Sequence, residues 1–370
     1  MKKVLSSFSL ILISFNLSFA QSFTHADTLR GSNGPGRVWW DATKYDLHLK
    51  FNLEDSSITG YNVISYKELE KDLASYFQID LQEPLVIDSV VLETGSLKFP
   101  LNRNRLSFTR EENAWFIYLP NQASPMIAKH DLNKIMKTKS SPKAATPDSL
   151  LRSEISNLVV YYHGKPHRAK NAPWDGGFVW KRDENLNPWI SVACQGLGAS
   201  VWYPCKDYQG DEPDSAAMHF TTPPGLVTVS NGRLRSITDD GKGNNVYTWA
   251  VVNPINNYGI TFYTGKYVHF GEIYKGEKGN LDMDYWVLGY HLSKAKEQFK
   301  DAPRMMKAFE YWFGPYPFYA DGYKLVEAPH FGMEHQSAGS DCYGWKMCLR
   351  GRDLSSRAWG LRWDVIRGHE

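Results

Sequence analysis

Between Tyr45 and Leu53 every second residue is apolar: Tyr45, Leu47, Leu49, Phe51 and Leu53 alternate with Asp46, His48, Lys50 and Asn52. A period of two places the first set on one face of an extended strand and leaves the second set to water. Strand-like runs recur at Leu85–Leu92, Trp115–Leu119, Leu158–Tyr162, Leu226–Ser230, Val246–Val252 and Ile260–Val268, separated by clusters of Gly, Pro, Asn and Asp. Few long helical patterns interrupt them, so the front two thirds of the chain reads as one large, mostly antiparallel β domain. The aromatic content of 14%, with 13 Trp and 21 Tyr, suits sheets with aromatic faces or a surface that grips a ligand. With 42% apolar and 22% charged residues the chain is not a disordered one. A formal charge of +2 gives no electrostatic support to a nucleic-acid partner.

The pattern changes near Leu292. Ala295, Phe299, Ala302, Met305, Met306, Phe309, Trp312 and Phe313 recur at steps of three and four, which is helical spacing. Asp301 as N-cap, with Pro303 in the first turn, would start a new helix there, and Gly314-Pro315 would end it. A strand-like Tyr323–Val326 follows, then a further helical start near Ser355–Ile366. The expected organisation is a β domain over residues 21–289 and the opening of an α+β domain over 290–370. Lys129–Lys143, polar and Lys-rich, reads as an exposed loop.

Lys2 and Lys3, the apolar stretch Val4–Phe19 and the small residue Ala20 form a signal-peptide layout over residues 1–20. The stretch is short and broken by serines, which favours cleavage over a membrane anchor. The expected protein is exported, periplasmic or extracellular, with no membrane span after cleavage. Such a compartment permits disulfides among Cys194, Cys205, Cys342 and Cys348, and the sequence does not choose among the pairings. It does not fix the oligomeric state either.

Three places hold chemistry-bearing residues. His163 and His167 have the spacing of two ligands on one helix face, but Gly164 and Pro166 between them make a turn. His25, His48, His130, His219, His269 and His291 have no grouped partners along the sequence. The segment His330-Phe331-Gly332-Met333-Glu334-His335-Gln336 carries two His, a Glu and a Gly just after a strand. A carboxylate there can hold a substrate amine by charge-assisted hydrogen bonds, and an ordinary edge strand is the competing reading. The chain finishes on Arg367-Gly368-His369-Glu370. His-Glu opens the pattern H-E-x-x-H, in which two His bind zinc and the Glu acts as base on the bound water.

Together these segments resemble peptidase family M1, the zinc aminopeptidases that include aminopeptidase N and leukotriene hydrolase, and among them the exported Bacteroidetes-type members. The resemblance runs from about Trp39 onward. It implies a β saddle domain followed by a thermolysin-like catalytic domain. Gly332-Met333-Glu334 resembles the exopeptidase signature G-x-M-E-N, with His335 in place of Asn. By that similarity Glu334 binds the free α-amine of a peptide, and the backbone at Gly332 and Met333 pairs with it like an added strand. Cys194-Gln195 through Trp202-Tyr203-Pro204-Cys205-Lys206-Asp207 resembles the stretch ending in P-C-x-D, which places Gln195 beside Glu334. Trp359–Asp364 resembles the helix leading to the zinc motif. Counted without gaps, His369 falls on the first zinc ligand and Glu370 on the general base. Gly368-His369-Glu370 also matches the surroundings of the family's second zinc His.

The resemblance thus implies a zinc cofactor, peptides with free N-termini as partners, and hydrolysis of N-terminal residues by zinc-activated water. A catalytic zinc takes three protein ligands and a water, and the 370 residues reach one of those ligands, His369. The expectation for this chain is therefore a C-terminally truncated family member without hydrolysis. The alternatives are a non-catalytic secreted peptide-binding module and a carbohydrate-binding β protein.

Overall fold

The computed structural model describes residues 24–70, 76–95, 102–120, 155–172, 174–330 and 341–344, the last as backbone alone. A short helix, α1 (His25–Gly31), comes first, closed by a capping box between Thr24 and Asp27. Eighteen strands follow in the described chain, interrupted late by two helices.

The alternating run at Tyr45 lies in β1 (Trp40–Asn52), a 13-residue strand. Its apolar face, from Tyr45 to Phe51, is buried, and Asp46, His48 and Lys50 face outward. β1 pairs antiparallel with β2 (Ser57–Glu68) and continues through β3 (Tyr76–Asp80), β4 (Val86–Gly95), β5 (Asn102–Glu111), β6 (Ala114–Tyr118) and β7 (Ile155–Gly164) on that side. On its other side it pairs parallel with β10 (Ser215–Thr222), beyond which lie β13 (Asn245–Val251) and β12 (Arg233–Asp239). The result is a ten-stranded sheet in the order β12-β13-β10-β1-β2-β7-β4-β5-β6-β3. A four-stranded sheet, β11-β14-β9-β8, packs on it, built from β8 (Gly177–Arg182), β9 (Pro188–Ala193), β11 (Val227–Ser230) and β14 (Phe262–Gly265). Phe262 of β14 joins the two layers, with ring centroids 5.1 Å from Phe51, 5.3 Å from Phe220 and 5.5 Å from Phe178.

Much of the aromatic content goes into this core. Trp39, Trp40, Trp202 and Trp249 are its largest fully buried side chains. Three of these buried indole nitrogens find partners: Trp39 donates to the Tyr76 carbonyl at 2.9 Å, Trp40 to the Gly36 carbonyl at 2.8 Å and Trp249 to the Thr228 carbonyl at 2.9 Å, whereas Trp202 Nε1 has none among the described residues.

The apolar run Ile260–Val268 is not one strand. It contributes β14 to the four-stranded sheet and the start of β15 (Tyr267–Gly276) to another, with the break at Lys266. A continuous apolar stretch carries no mark of where a chain changes sheets. The third sheet has the order β15-β16-β17-β18, with β16 (Gly279–Leu288), β17 (Tyr323–Ala328) and β18 (Asp341–Gly344). Helices α2 (Leu292–Gln298) and α3 (Asp301–Phe313) cover it. Leu281, Met283, Tyr285, Ala295, Phe299, Ala302, Met306 and Leu325 form this second core. Asp301 is the first residue of α3 rather than its cap, which falls on Lys300. The turn out of α2 is too tight for a separate cap, since the Ala302 N–H already bonds to Phe299 at 3.0 Å. No helix among the described residues is long and apolar enough to cross a membrane.

The segments at 1–20, 129–143 and 355–366 lie outside the described residues, as do Gly332, Met333, Glu334, His369 and Glu370.

Candidate functional site

Gln195 is the site residue of the sequence reading that the structure describes, and it sits two residues past the end of β9 on an exposed turn. The turn is held from every side. Its own backbone closes it, with Gly198 N–H to Cys194 O at 2.8 Å. Asp207, the last residue of the P-C-x-D stretch, accepts from the Ser200 N–H at 3.2 Å and the Ser200 hydroxyl at 2.6 Å. Gln82 donates to Leu197 O at 2.5 Å and Ser200 Oγ at 2.9 Å. Arg30 of α1 donates to Gly196 O at 3.0 Å. Gly198 has φ +85°, and a Cβ there would lie 2.4 Å from Asp207 Oδ2, so only glycine fits.

Beneath the turn lies a buried ion pair. Arg37 and Asp80 meet at 2.5 Å with side-chain exposures of 0% and 4%. Asp80 also accepts from the Asp207 N–H at 3.1 Å, and its backbone bridges Cys205 in both directions. Burial pushes the Asp80 carboxyl up to about 7, against the pull of the Arg37 guanidinium. Lys206 is buried too, donating to Trp40 O at 2.5 Å, paired with Asp211 and lying 4.6 Å over the Trp40 ring. The stretch Pro204-Cys205-Lys206-Asp207 therefore acts as a brace beneath the turn. Cys194 and Cys205 are buried thiols and do not form a disulfide pair. Burial raises the Cys205 thiol well above its ordinary range, which keeps it inert.

The turn opens onto a cleft of about 670 Å³, lined by Gln195, Asp207, Tyr208, Asn257 and Tyr258 on one side and by Asp27 and Arg30 of α1 on the other. Gln195 offers the cleft a neutral amide, whose oxygen can accept from an ammonium group without adding a charge.

β17 contributes to the second core, and the residues that follow it pack against β8 and β9. All six of its residues are buried. Glu327 accepts from the Leu288 N–H at 2.8 Å and meets His291 Nδ1 at 2.6 Å. Tyr267 donates to Glu327 O at 2.6 Å and accepts from Trp189 at 2.8 Å. Past the strand, Lys181 of β8 donates to Pro329 O at 2.9 Å. His330 Nδ1 meets Ser191 Oγ of β9 at 3.3 Å. Pro329 and His330 are thus fastened to β8 and β9, and β9 ends two residues before Gln195.

Several histidines find partners the sequence order hides. His291 is bound to Glu327, and His163 meets Asp88 at 2.7 Å rather than His167. His48 and His219 are grouped: both Nε2 atoms lie on Asp46 Oδ1, at 3.0 and 3.1 Å. Burial raises the Asp46 carboxyl, but bonds from His219, His48 and Lys44 win and hold it far below the usual carboxylate range. Asp46 and His48 share a face by strand alternation, which the sequence shows. His219 joins them through the parallel pairing of β1 with β10, which it does not.

No protein-family model matches the sequence, and no curated protein matches it. Solved structures do. A mutant M1 zinc metallopeptidase from Deinococcus radiodurans, bound to a Tyr-Ser-Ala substrate, is similar with a TM-score of 0.62 and 15% identity, over 86% of this chain and 63% of that one. The M1 zinc metallopeptidase from the same organism gives 0.57 and 16%, over 82% and 60%. Native yeast LTA4 hydrolase gives 0.59 and 14%, over 84% and 41%. The chain therefore spans less than two thirds of the length of these structures. At this identity the likeness is one of fold: the chain has the fold of the N-terminal part of the M1 zinc metallopeptidases.

Proposed function

We propose that this chain carries the substrate-amine recognition part of an exported zinc aminopeptidase. Glu334 holds the protonated N-terminus of a peptide, and the amide oxygen of Gln195 accepts from the same ammonium group. The observation that carries this reading is the Ser191–His330 contact. It ties the entry to 331–334 onto β9, four residues before Gln195, in a chain with the M1 fold. A charged amine between one carboxylate and one amide is neutralised once and hydrogen-bonded twice, which leaves its third N–H to water or peptide. The braced turn keeps Gln195 in position without cost at the moment of binding.

In the aminopeptidase reading, His369 would be a zinc ligand and Glu370 a general base. When bound, zinc supplies a Lewis acid and a water acidified toward neutral pH. Glu334 and Gln195 act on the other end of the substrate, where they hold its N-terminal ammonium group. A non-catalytic peptide binder would use the same amine subsite.

The test is binding of short peptides with free or acetylated N-termini to the 370-residue chain. Free peptides should bind and acetylated ones should not. Glu334→Ala should weaken binding by about 10–100-fold, as expected for one lost charge-assisted bond of ~1.5–3 kcal/mol, and Gln195→Ala by less. Equal binding of both peptide forms would defeat the amine role. Peptide turnover that depends on added zinc would separate the enzyme from the binder.

A further inference from the structure

We propose that Asp46, His48 and His219 form a binding site for a zinc-class divalent ion on the solvent face of the ten-stranded sheet. The three donor atoms lie within 4.8 Å of one another. Ligand atoms around a tetrahedral ion, at bonds of about 2.0–2.2 Å, sit about 3.3–3.6 Å apart. The nitrogen–oxygen separations of 3.0 and 3.1 Å are already close to that spacing. Two imidazoles and one carboxylate select zinc, nickel or copper over calcium and magnesium, which require mainly oxygen ligands.

The sheet brings the donors together, and on binding the two rings tilt out of their stack to aim both in-plane Nε2 lone pairs at one ion. His48 and His219 are register partners across the parallel pair, and their rings stack at 4.1 Å with 7° between planes. Tyr61 of β2 stacks on the far side of His48 at 4.2 Å. On the other side, Thr248 of β13 meets His219 Nδ1 at 3.0 Å. A hydroxyl can accept as well as donate, so Thr248 can take the Nδ1–H of His219 once an ion replaces the Nε2 proton, as partners behind ligating histidines generally do. Lys44 binds the other oxygen of Asp46, Oδ2, at 3.0 Å and leaves Oδ1 to the two rings. Side-chain exposures of 26% for Asp46, 32% for His48 and 22% for His219 give an ion and its waters access.

The experiment is zinc titration of the metal-free 370-residue chain by calorimetry, beside His48→Gln and His219→Gln. The parent chain should bind an ion that either variant weakens at least tenfold. Equal zinc affinity in the parent and both sheet variants would overturn the proposal, as would the absence of binding. A second measurement needs no variant. With side-chain-labelled histidine, substoichiometric copper should broaden two of the eleven His ring signals first, those of His48 and His219. First broadening of any other pair would overturn the assignment even if the variants failed to fold.

Discussion

Ser191 Oγ and His330 Nδ1 lie 3.3 Å apart and join the last part of β9 to the chain leaving β17. His330 is 1% exposed and Ser191 is fully buried, so the contact is sheltered from water. It holds His330 against β9, four residues before Gln195. Ser191→Ala removes one hydrogen bond and should cost about 0.5–1.5 kcal/mol in urea unfolding. The same variant should weaken binding of peptides with free N-termini more than Ser230→Ala, which removes a buried hydroxyl that donates to Thr261 O.

Asp207 and Gly198 hold the turn from below. Gly198→Ala puts a methyl group where Asp207 Oδ2 sits and demands a left-handed backbone from alanine. A loss of more than about 1 kcal/mol is expected. Asp207→Ala removes the acceptor of two Ser200 bonds and should cost about 1.5–3 kcal/mol. If both variants unfold at the parent's urea midpoint, the brace has no energetic role.

Glu327 is fully buried with two hydrogen-bond partners. Glu327→Ala leaves the Leu288 N–H and the His291 ring without that acceptor, at about 1–3 kcal/mol for each group. Glu327→Gln keeps an acceptor oxygen in the same place and should recover part of the loss. A Gln variant as unstable as the Ala variant would show that the negative charge matters more than the bonds.

Glu310 accepts from the Tyr319 hydroxyl at 2.5 Å and the Tyr274 hydroxyl at 2.8 Å. Burial raises its carboxyl, but the two tyrosines and the backbone N–H groups pull it below the ordinary Glu value. A depressed folded value stabilises the protein above the unfolded pKa of about 4.3, and that stability fades as pH falls through the folded value. The stability gap between the parent and Glu310→Gln should therefore be constant near neutral pH and shrink below about pH 4. Denaturant midpoints across pH 3–7 read this directly, and a gap that widens in acid would contradict it.

At the end of α3, Tyr311, Trp312 and Phe313 are 75%, 74% and 83% exposed. Three adjacent aromatics in water form a sticky patch. The double variant Trp312→Ser/Phe313→Ser should reduce binding of a hydrophobic dye and raise solubility. Its unfolding free energy should stay within about 0.5 kcal/mol per site, since little packing is lost.

The sequence by itself determined the strands with one wet face. Tyr45–Leu53 alternates because β1 has a core on one side and solvent on the other, and that contrast is written residue by residue. It also marked the helical turn of the chain after Leu292, the strand at Tyr323, and Gln195 beside a P-C-x-D stretch. The resemblance drawn from such motifs led to the fold that the solved structures share. Tertiary structure decided what depends on partners distant along the chain. The run Ile260–Val268 split between two sheets because pairing, and not local hydrophobicity, assigns a residue to a sheet. Cys194 and Cys205 remained thiols, which their nearness in sequence did not foretell. Asp207 became a brace for Ser200, and His219 reached Asp46 across a parallel pairing of strands about 170 residues apart. Local pattern reports burial, which each residue carries alone. Geometry between side chains belongs to pairs, and only the folded chain brings those pairs together.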